Sequence, residues 1–197
     1  MTCAKSDPSS LSLASECMRS GGIAVFPTDT VYGFSGIVDL RGGTSFSTDA
    51  RIRSVKGRAE TKPLIQLISH PEEIFCYTDI DIPEKLLNLW PGALTLIVPL
   101  KDACPILSDV PTVAFRCPGD EWLRKVIEHS GAPIYSTSVN KSGKKVLECE
   151  AEIEKVFGES VDLFISDGDK TGALPSTLVK IEADGSFTVL RQGSVRL

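Results

Sequence analysis

The chain has 197 residues, 42% of them hydrophobic, with 26 acidic against 21 basic side chains and a formal net charge of −5. That length buries a sizeable core and predicts a single domain over 1–197, while the composition excludes collagen-like, disordered and coiled-coil classes. The apolar runs, such as residues 94–100, are strand-sized and too short to span a membrane, and residues 1–8 lack the apolar stretch of a signal peptide, so a cytoplasmic protein without membrane association is expected.

In chain order, residues 9–20 read as a helix. Ser9 or Ser10 can cap it, Leu11, Ala14 and Met18 share one face, and Gly21-Gly22 end it. A strand follows over 23–26. Residues 39–47 form a loop into a short helix at 48–55, and 63–68 read as a buried strand. Pro71 and Pro83 each open a helix, the second stopped by Pro91-Gly92. Strands are expected at 93–100 and 112–116, and a helix from an Asp120 cap to Ser130 with Gly131 as terminator. Further strands fall at 133–136, 161–166, 176–182 and 187–191. Strands and helices interleave, but no helix separates 93–100 from 112–116. The fold class is therefore α/β, with helices flanking a mixed parallel and antiparallel sheet and a core over about 22–195.

Polar groups gather where apolar strands end, the position at which open α/β sheets place their binding residues. Pro27-Thr28-Asp29-Thr30-Val31-Tyr32-Gly33 follows the first strand and reads either as a turn or as one wall of a site. Lys56-Gly57-Arg58 closes a helix that also carries Arg51 and Arg53. These cations either complement the helix dipole or clamp a polyphosphate. Ser136-Thr137-Ser138-Val139-Asn140-Lys141-Ser142-Gly143 offers hydroxyls and an amide to a carboxylate, ribose or phosphate, or is simply a polar loop. Arg116 ends another strand, where it can fork a ligand carboxylate or pair internally with an acidic side chain. Pro175-Ser176-Thr177 and Arg191-Gln192-Gly193 repeat the arrangement. Neither a Walker lysine loop nor a dinucleotide fingerprint is present. The six cysteines form no Cys-x-x-Cys pair and are read as reduced thiols. With two histidines, His70 and His129, the chain has little material for a zinc site or a histidine triad.

These segments, together with Lys62-Pro63-Leu64, Trp90-Pro91-Gly92 and 112–116, occur in the order seen in the YrdC-like family. The chain resembles its short, single-domain bacterial form, the TsaC-type threonylcarbamoyl-AMP synthases, over about 22–195. The resemblance implies a twisted sheet with a large concave cleft. It implies a nucleotidyltransferase that converts L-threonine, bicarbonate and ATP into threonylcarbamoyl-adenylate and pyrophosphate. A partner complex would then transfer the threonylcarbamoyl group to adenosine 37 of tRNA. By motif match, Thr30, Arg116, Ser138 and Ser176 surround threonine. Lys56, Arg58, Asn140 and Arg191 contact ATP with Thr112 and Ser142 close by, and Lys56 and Arg58 act on the reacting phosphate. Magnesium accompanies the triphosphate with few dedicated protein ligands, and no protein-held metal is expected.

The chain departs from the family pattern at Val139, where alanine is usual, at Ala59, where proline is common, and at Gly119-Asp120. It also has Ile65-Gln66-Leu67 where some members carry a histidine. These departures admit an alternative: a YciO-like paralogue, or a protein binding tRNA or double-stranded RNA without synthase activity. The acidic total weighs against nucleic acid, whose affinity normally rests on phosphate neutralisation. Hydrogenase-maturation carbamoyltransferases carry a similar domain, but within much longer chains.

Overall fold

The computed structural model describes residues 1–57, 64–108, 110–182 and 184–197. Arg58, Ala59, Lys62 and Pro63, which the sequence reading singles out, lie outside them. The elements are β1 (Thr2–Ala4), α1 (Ser10–Arg19), β2 (Ala24–Phe26), β3 (Gly33–Ile37), α2 (Thr48–Lys56), β4 (Ile65–Leu67) and α3 (Glu84–Leu87). Then follow β5 (Leu94–Pro99), β6 (Thr112–Arg116), α4 (Glu121–Ser130), β7 (Ile134–Ser138), α5 (Glu150–Phe157), β8 (Leu163–Ser166), β9 (Thr177–Ile181) and β10 (Phe187–Arg191). A 3₁₀ turn over Pro71–Cys76 stands where Pro71 predicts a helix, and the helix opened by Pro83 is only the four-residue α3.

The strands form one sheet in the order β1-β8-β2-β3-β7-β4-β6-β5-β9-β10. It is mixed, as expected: β2–β8, β4–β6 and β5–β9 run parallel, whereas β2–β3, β3–β7, β4–β7 and β5–β6 run antiparallel.

Three elements carry no clear sequence signal: β1, β3 and α5. The residues of β3, Gly33-Phe34-Ser35-Gly36-Ile37, include two glycines, which are poor strand formers. Close packing surrounds both. A Cβ at Gly36 would lie 2.8 Å from Thr48 Cβ on α2, and one at Gly33 would lie 2.7 Å from Ser136 Oγ. β7 also runs two residues further than expected, so Thr137 and Ser138 belong to the strand rather than to the loop after it.

The expected cap of α1 is corrected. Ser9 Oγ donates to Asp7 Oδ1 at 2.6 Å instead of capping the helix, and no side chain caps that end. Asp120 does cap α4, accepting from Leu123 N at 3.0 Å, and Gly131 closes it in the left-handed conformation at φ 76°.

Two layers flank the sheet. On one face, α1 and α4 bury Ala14, Met18, Leu123, Val126 and Ile127 over Phe26, Ile37, Leu67, Ile134, Leu163 and Ile165. Each of these side chains larger than alanine contributes about 1.5–3 kcal/mol relative to exposure. On the other face, α2 and α5 cover β2, β3 and β8 through Ile52, Ile153 and Phe157, and the segments around the 3₁₀ turn and α3 cover β5, β6 and β9. The helices α1 and α4 leave the upper part of their own face open, and that gap makes the cavity. Among the described residues, no helix is long and apolar enough to cross a membrane.

Candidate active site

The open sheet face floors a cavity of about 800 Å³, within the range of small-molecule sites. In-register residues Ser136 (β7), Ile65 (β4), Ala114 (β6) and Ile97 (β5) form a row across it. The β2–β3 connection supplies one wall through Thr28, Thr30 and Tyr32. Lys145, Val146 and Glu148 precede α5 on another side, and Ala173, Pro175, Ser176 and Arg191 complete the rim.

Thr30, Thr112, Arg116, Ser138, Ser176 and Arg191 all line this one cavity. Arg116 is 5% exposed. Its Nε donates to Gly92 O at 3.0 Å, one terminal nitrogen to Thr30 Oγ1 at 3.0 Å, and the other to Asp29 Oδ1 at 2.5 Å. The internal ion pair is therefore formed, and with the bonds to Gly92 and Thr30 it uses three of the five guanidinium N–H donors. Asp29 Oδ2 also accepts from Gly119 N at 3.0 Å, tying the β2–β3 turn to the segment after β6. Thr30 Oγ1 lies 2.9 Å from Thr28 Oγ1, which itself donates to Val31 O at 2.8 Å, so the Thr30 hydroxyl donates to Thr28.

Arg191 is held differently. It donates to Ser176 O at 2.9 Å, and no carboxylate among the described residues pairs with it. Burial, and then the positive charge of Arg116, lower its pKa from the ordinary arginine value. Ser176, 3% exposed, is hydrogen-bonded through its hydroxyl to Thr95 Oγ1 at 2.8 Å.

Lys56, Asn140 and Ser142 form a second cluster directly behind Ser138 and are not cavity-lining residues. Lys56 is 3% exposed; its ammonium donates to Ser138 O and to Asn140 Oδ1 (3.0 Å) and lies over the Phe34 ring. Asn140 Oδ1 also accepts from Ser138 Oγ at 2.8 Å, while its Nδ2 donates to Lys141 O and Lys144 O. Ser142 N donates to Lys56 O at 2.9 Å. The Lys56 and Ser-x-Asn motifs, 84 residues apart, thus meet in space.

Ser136 and Tyr32 stand inside the polar segments named from the sequence but were given no site role there, and Glu148 lies outside those segments. Ser136 shares a strand face with Ser138, a period-2 signal that was available once β7 was extended. Tyr32 is fully buried and donates to Glu150 Oε1 at 2.7 Å while accepting from Asp167 N at 2.8 Å. Burial, reinforced by Glu150, pushes its phenol up and keeps it protonated. Glu148 is the only carboxylate lining the cavity among the described residues.

The model of the Sua5/YciO/YrdC family, described as telomere recombination, matches residues 16–193. The chain belongs to that family. Relatives in it include a threonylcarbamoyl-AMP synthase of Pyrococcus abyssi, 32% identical over 94% of this chain and 54% of its own length. Another, from Bacillus subtilis, is 34% identical over 92% of this chain and 53% of its own. The chain thus spans about half the length of these relatives. The crystal structure of P. abyssi Sua5 complexed with L-threonine superposes with a TM-score of 0.79 at 30% identity, covering 93% of this chain and 54% of that one.

Proposed function

We propose that the protein makes threonylcarbamoyl-AMP and pyrophosphate from L-threonine, bicarbonate and ATP, as a nucleotidyltransferase serving tRNA adenosine-37 modification in the cytoplasm. The observation that carries this reading is the meeting of Arg116, Arg191 and the hydroxyls of Thr30, Thr112, Ser138 and Ser176 in one cavity, in a chain of this family. The likeness to a threonine-bound relative supports the amino-acid half of the assignment.

Threonine's carboxylate takes the two spare donors of Arg116, which Asp29 and Thr30 hold in place. Its amine attacks the carbon of bicarbonate, and loss of water leaves a carbamate. A carbamate oxygen then attacks the α-phosphorus of ATP; the new P–O bond forms as the bond to pyrophosphate breaks. No side-chain nucleophile is needed, so the protein's contribution is alignment and charge stabilisation. Arg191 offers its guanidinium to the phosphates. Lys56 acts through Ser138 and Asn140, fixing their orientation at the cavity edge.

Magnesium fits as a companion of the triphosphate, neutralising its charge. Among the described residues no group of three His, Cys, Asp or Glu side chains could cage it, so the phosphates and water would supply most ligands. The product would pass to a threonylcarbamoyl-transferase complex acting on tRNA.

The test is pyrophosphate release from ATP and bicarbonate with and without L-threonine. Strict dependence on threonine supports the synthase. Release that ignores threonine, or none at all, overturns it, and RNA binding that weakens steeply with salt in an inactive protein would favour the nucleic-acid alternative.

A further inference from the structure

We propose that Glu150 is a positioning residue: its carboxylate ties the strap between β8 and β9 to the β2–β3 wall and so fixes the spacing of two sides of the cavity. Glu150 itself does not line the cavity. The inference rests on the threonine reading above, because the two sides carry Thr30 and Ser176.

Residues 167–175 run without regular secondary structure from the end of β8 to Ser176, and Ala173, Pro175 and Ser176 line the cavity. Residues 148–150, at the start of α5, hold this strap. Glu150 Oε1 accepts from Asp167 N at 2.6 Å and from Gly168 N at 2.7 Å, and Glu150 N donates to Asp169 Oδ1 at 2.9 Å. The left-handed turn at Gly168, φ 76°, lets two successive N–H groups face that one oxygen. Further along, Lys170 N donates to Glu148 O at 2.8 Å and Gly172 N to Glu148 Oε2 at 3.0 Å.

The same Glu150 oxygen accepts from the Tyr32 hydroxyl at 2.7 Å, across 118 positions of sequence. Tyr32 Oη also lies 2.9 Å from Gly168 O and accepts from Asp167 N at 2.8 Å, which closes a compact cycle. Tyr32 stands two positions after Thr30, and its carbonyl accepts from Val139 N at 3.1 Å, beside Ser138. Its ring is fully buried, edge-on to Phe164 with centroids 5.8 Å apart, so the hydroxyl has one place to go. One carboxylate oxygen therefore joins the wall that carries Thr30 to the strap that leads to Ser176.

Without that oxygen the strap loses its Asp167 and Gly168 anchors, while Glu148 still holds Lys170 and Gly172. Each binding event must then order the strap against the wall. That entropy cost weakens ground state and transition state alike, so it raises KM and leaves kcat in place.

The experiment compares wild type, Glu150→Ala, Glu150→Gln and Tyr32→Phe by residue-resolved amide hydrogen exchange and by threonine-dependent pyrophosphate release. In Glu150→Ala, protection of the Asp167 and Gly168 amides is expected to fall about tenfold, the worth of one hydrogen bond, with Lys170 and Gly172 unchanged. Threonine KM is expected to rise about tenfold with kcat within about twofold of wild type. Glu150→Gln keeps an acceptor oxygen and should recover all but about threefold of both losses. Tyr32→Phe should raise KM while leaving the Gly168 amide protected, because the strap keeps Glu150 but loses the wall.

Unchanged protection of both amides in Glu150→Ala overturns the inference and leaves the synthase reading intact. A fall in kcat at unchanged KM, or an equal loss in Glu150→Gln, also overturns it, since a residue needed only for folding reduces the amount of active enzyme. If Glu150→Ala does not fold, Glu150→Gln and Tyr32→Phe decide by the same readouts. A wild type that releases no pyrophosphate defeats the synthase reading, and calorimetric titration of threonine then replaces KM. About tenfold weaker binding in Glu150→Ala supports the inference there, and equal binding or none overturns it.

Discussion

Arg116 and Arg191 line the same cavity, yet the regions that hold them are built on opposite principles. At the β6 end, the guanidinium is buried and tied to Asp29, Thr30 and Gly92, so its charge is largely cancelled and its orientation fixed. At the β9–β10 end, Arg191 leans on neutral Ser176 and meets no carboxylate among the described residues. The first arrangement spends charge on rigidity, which suits a planar carboxylate fork. The second leaves charge uncompensated, which suits a polyanion that brings its own counter-charge.

The contrast can be broken by mutation. Gly193, beside Arg191, should give the largest effect. A Cβ there would lie 2.1 Å from Pro175 O and 2.5 Å from Ser176 C, both backbone atoms that cannot swing aside. Gly193→Ala is expected to cost about 4 kcal/mol, read as a fall in the urea midpoint. Arg116→Ala strands the Asp29 carboxylate without its partner and should cost about 3 kcal/mol in the same assay. A loss below about 1 kcal/mol would mean that the ion pair contributes little to the frame.

Arg191→Met should behave the other way. Stability should stay within about 0.5 kcal/mol, because no ion pair is lost and the repulsion with Arg116 disappears, while threonine-dependent pyrophosphate release falls about 10²-fold. Equal destabilisation by the two arginine variants would erase the distinction.

The smallest effect concerns pH. Asp167, whose backbone N–H meets Tyr32, pairs with Lys170 at 2.9 Å and Lys5 at 3.2 Å. Burial opposes the shift, but these lysines hold its carboxyl below the ordinary 3.8. The associated stability is therefore present above pH 3.8 and disappears as pH falls through the lowered native value. Asp167→Asn should flatten that acid limb by about 0.5 kcal/mol, the size typical of exposed pairs. An unchanged acid limb in the variant would deny Asp167 this role.

Much of this contrast was legible before the structure, and its limits have physical causes. Thr30, Thr112, Arg116, Ser138, Ser176 and Arg191 could be picked out because each sits at or beside the end of an apolar strand, a local pattern. The partner of Arg116 could not be picked out. An internal salt bridge was one of two readings of that residue, but Asp29 lies 87 positions away and only the sheet order brings it near. β3 escaped because its glycines serve close packing rather than strand propensity. Ser136 was named only as the start of a polar run, because the strand was expected to end there and its shared face with Ser138 appears only when β7 runs on to Ser138. Arg58 remains outside the described residues.

The sheet order also governs how the chain must be assembled. β2 pairs with β3 almost at once, but its other edge waits for β8, and β1 has β8 as its sheet neighbour. Nearly 130 residues separate the end of β3 from the end of β8. At translation speeds of about 5–20 residues per second, that edge stays open on the ribosome for on the order of ten seconds. Val25 and Phe26, fully buried in the finished sheet, must be shielded throughout that interval. Pairing with β8 is thus a late event in the synthesis of this chain, and until it occurs one edge of β2 presents unpaired backbone groups.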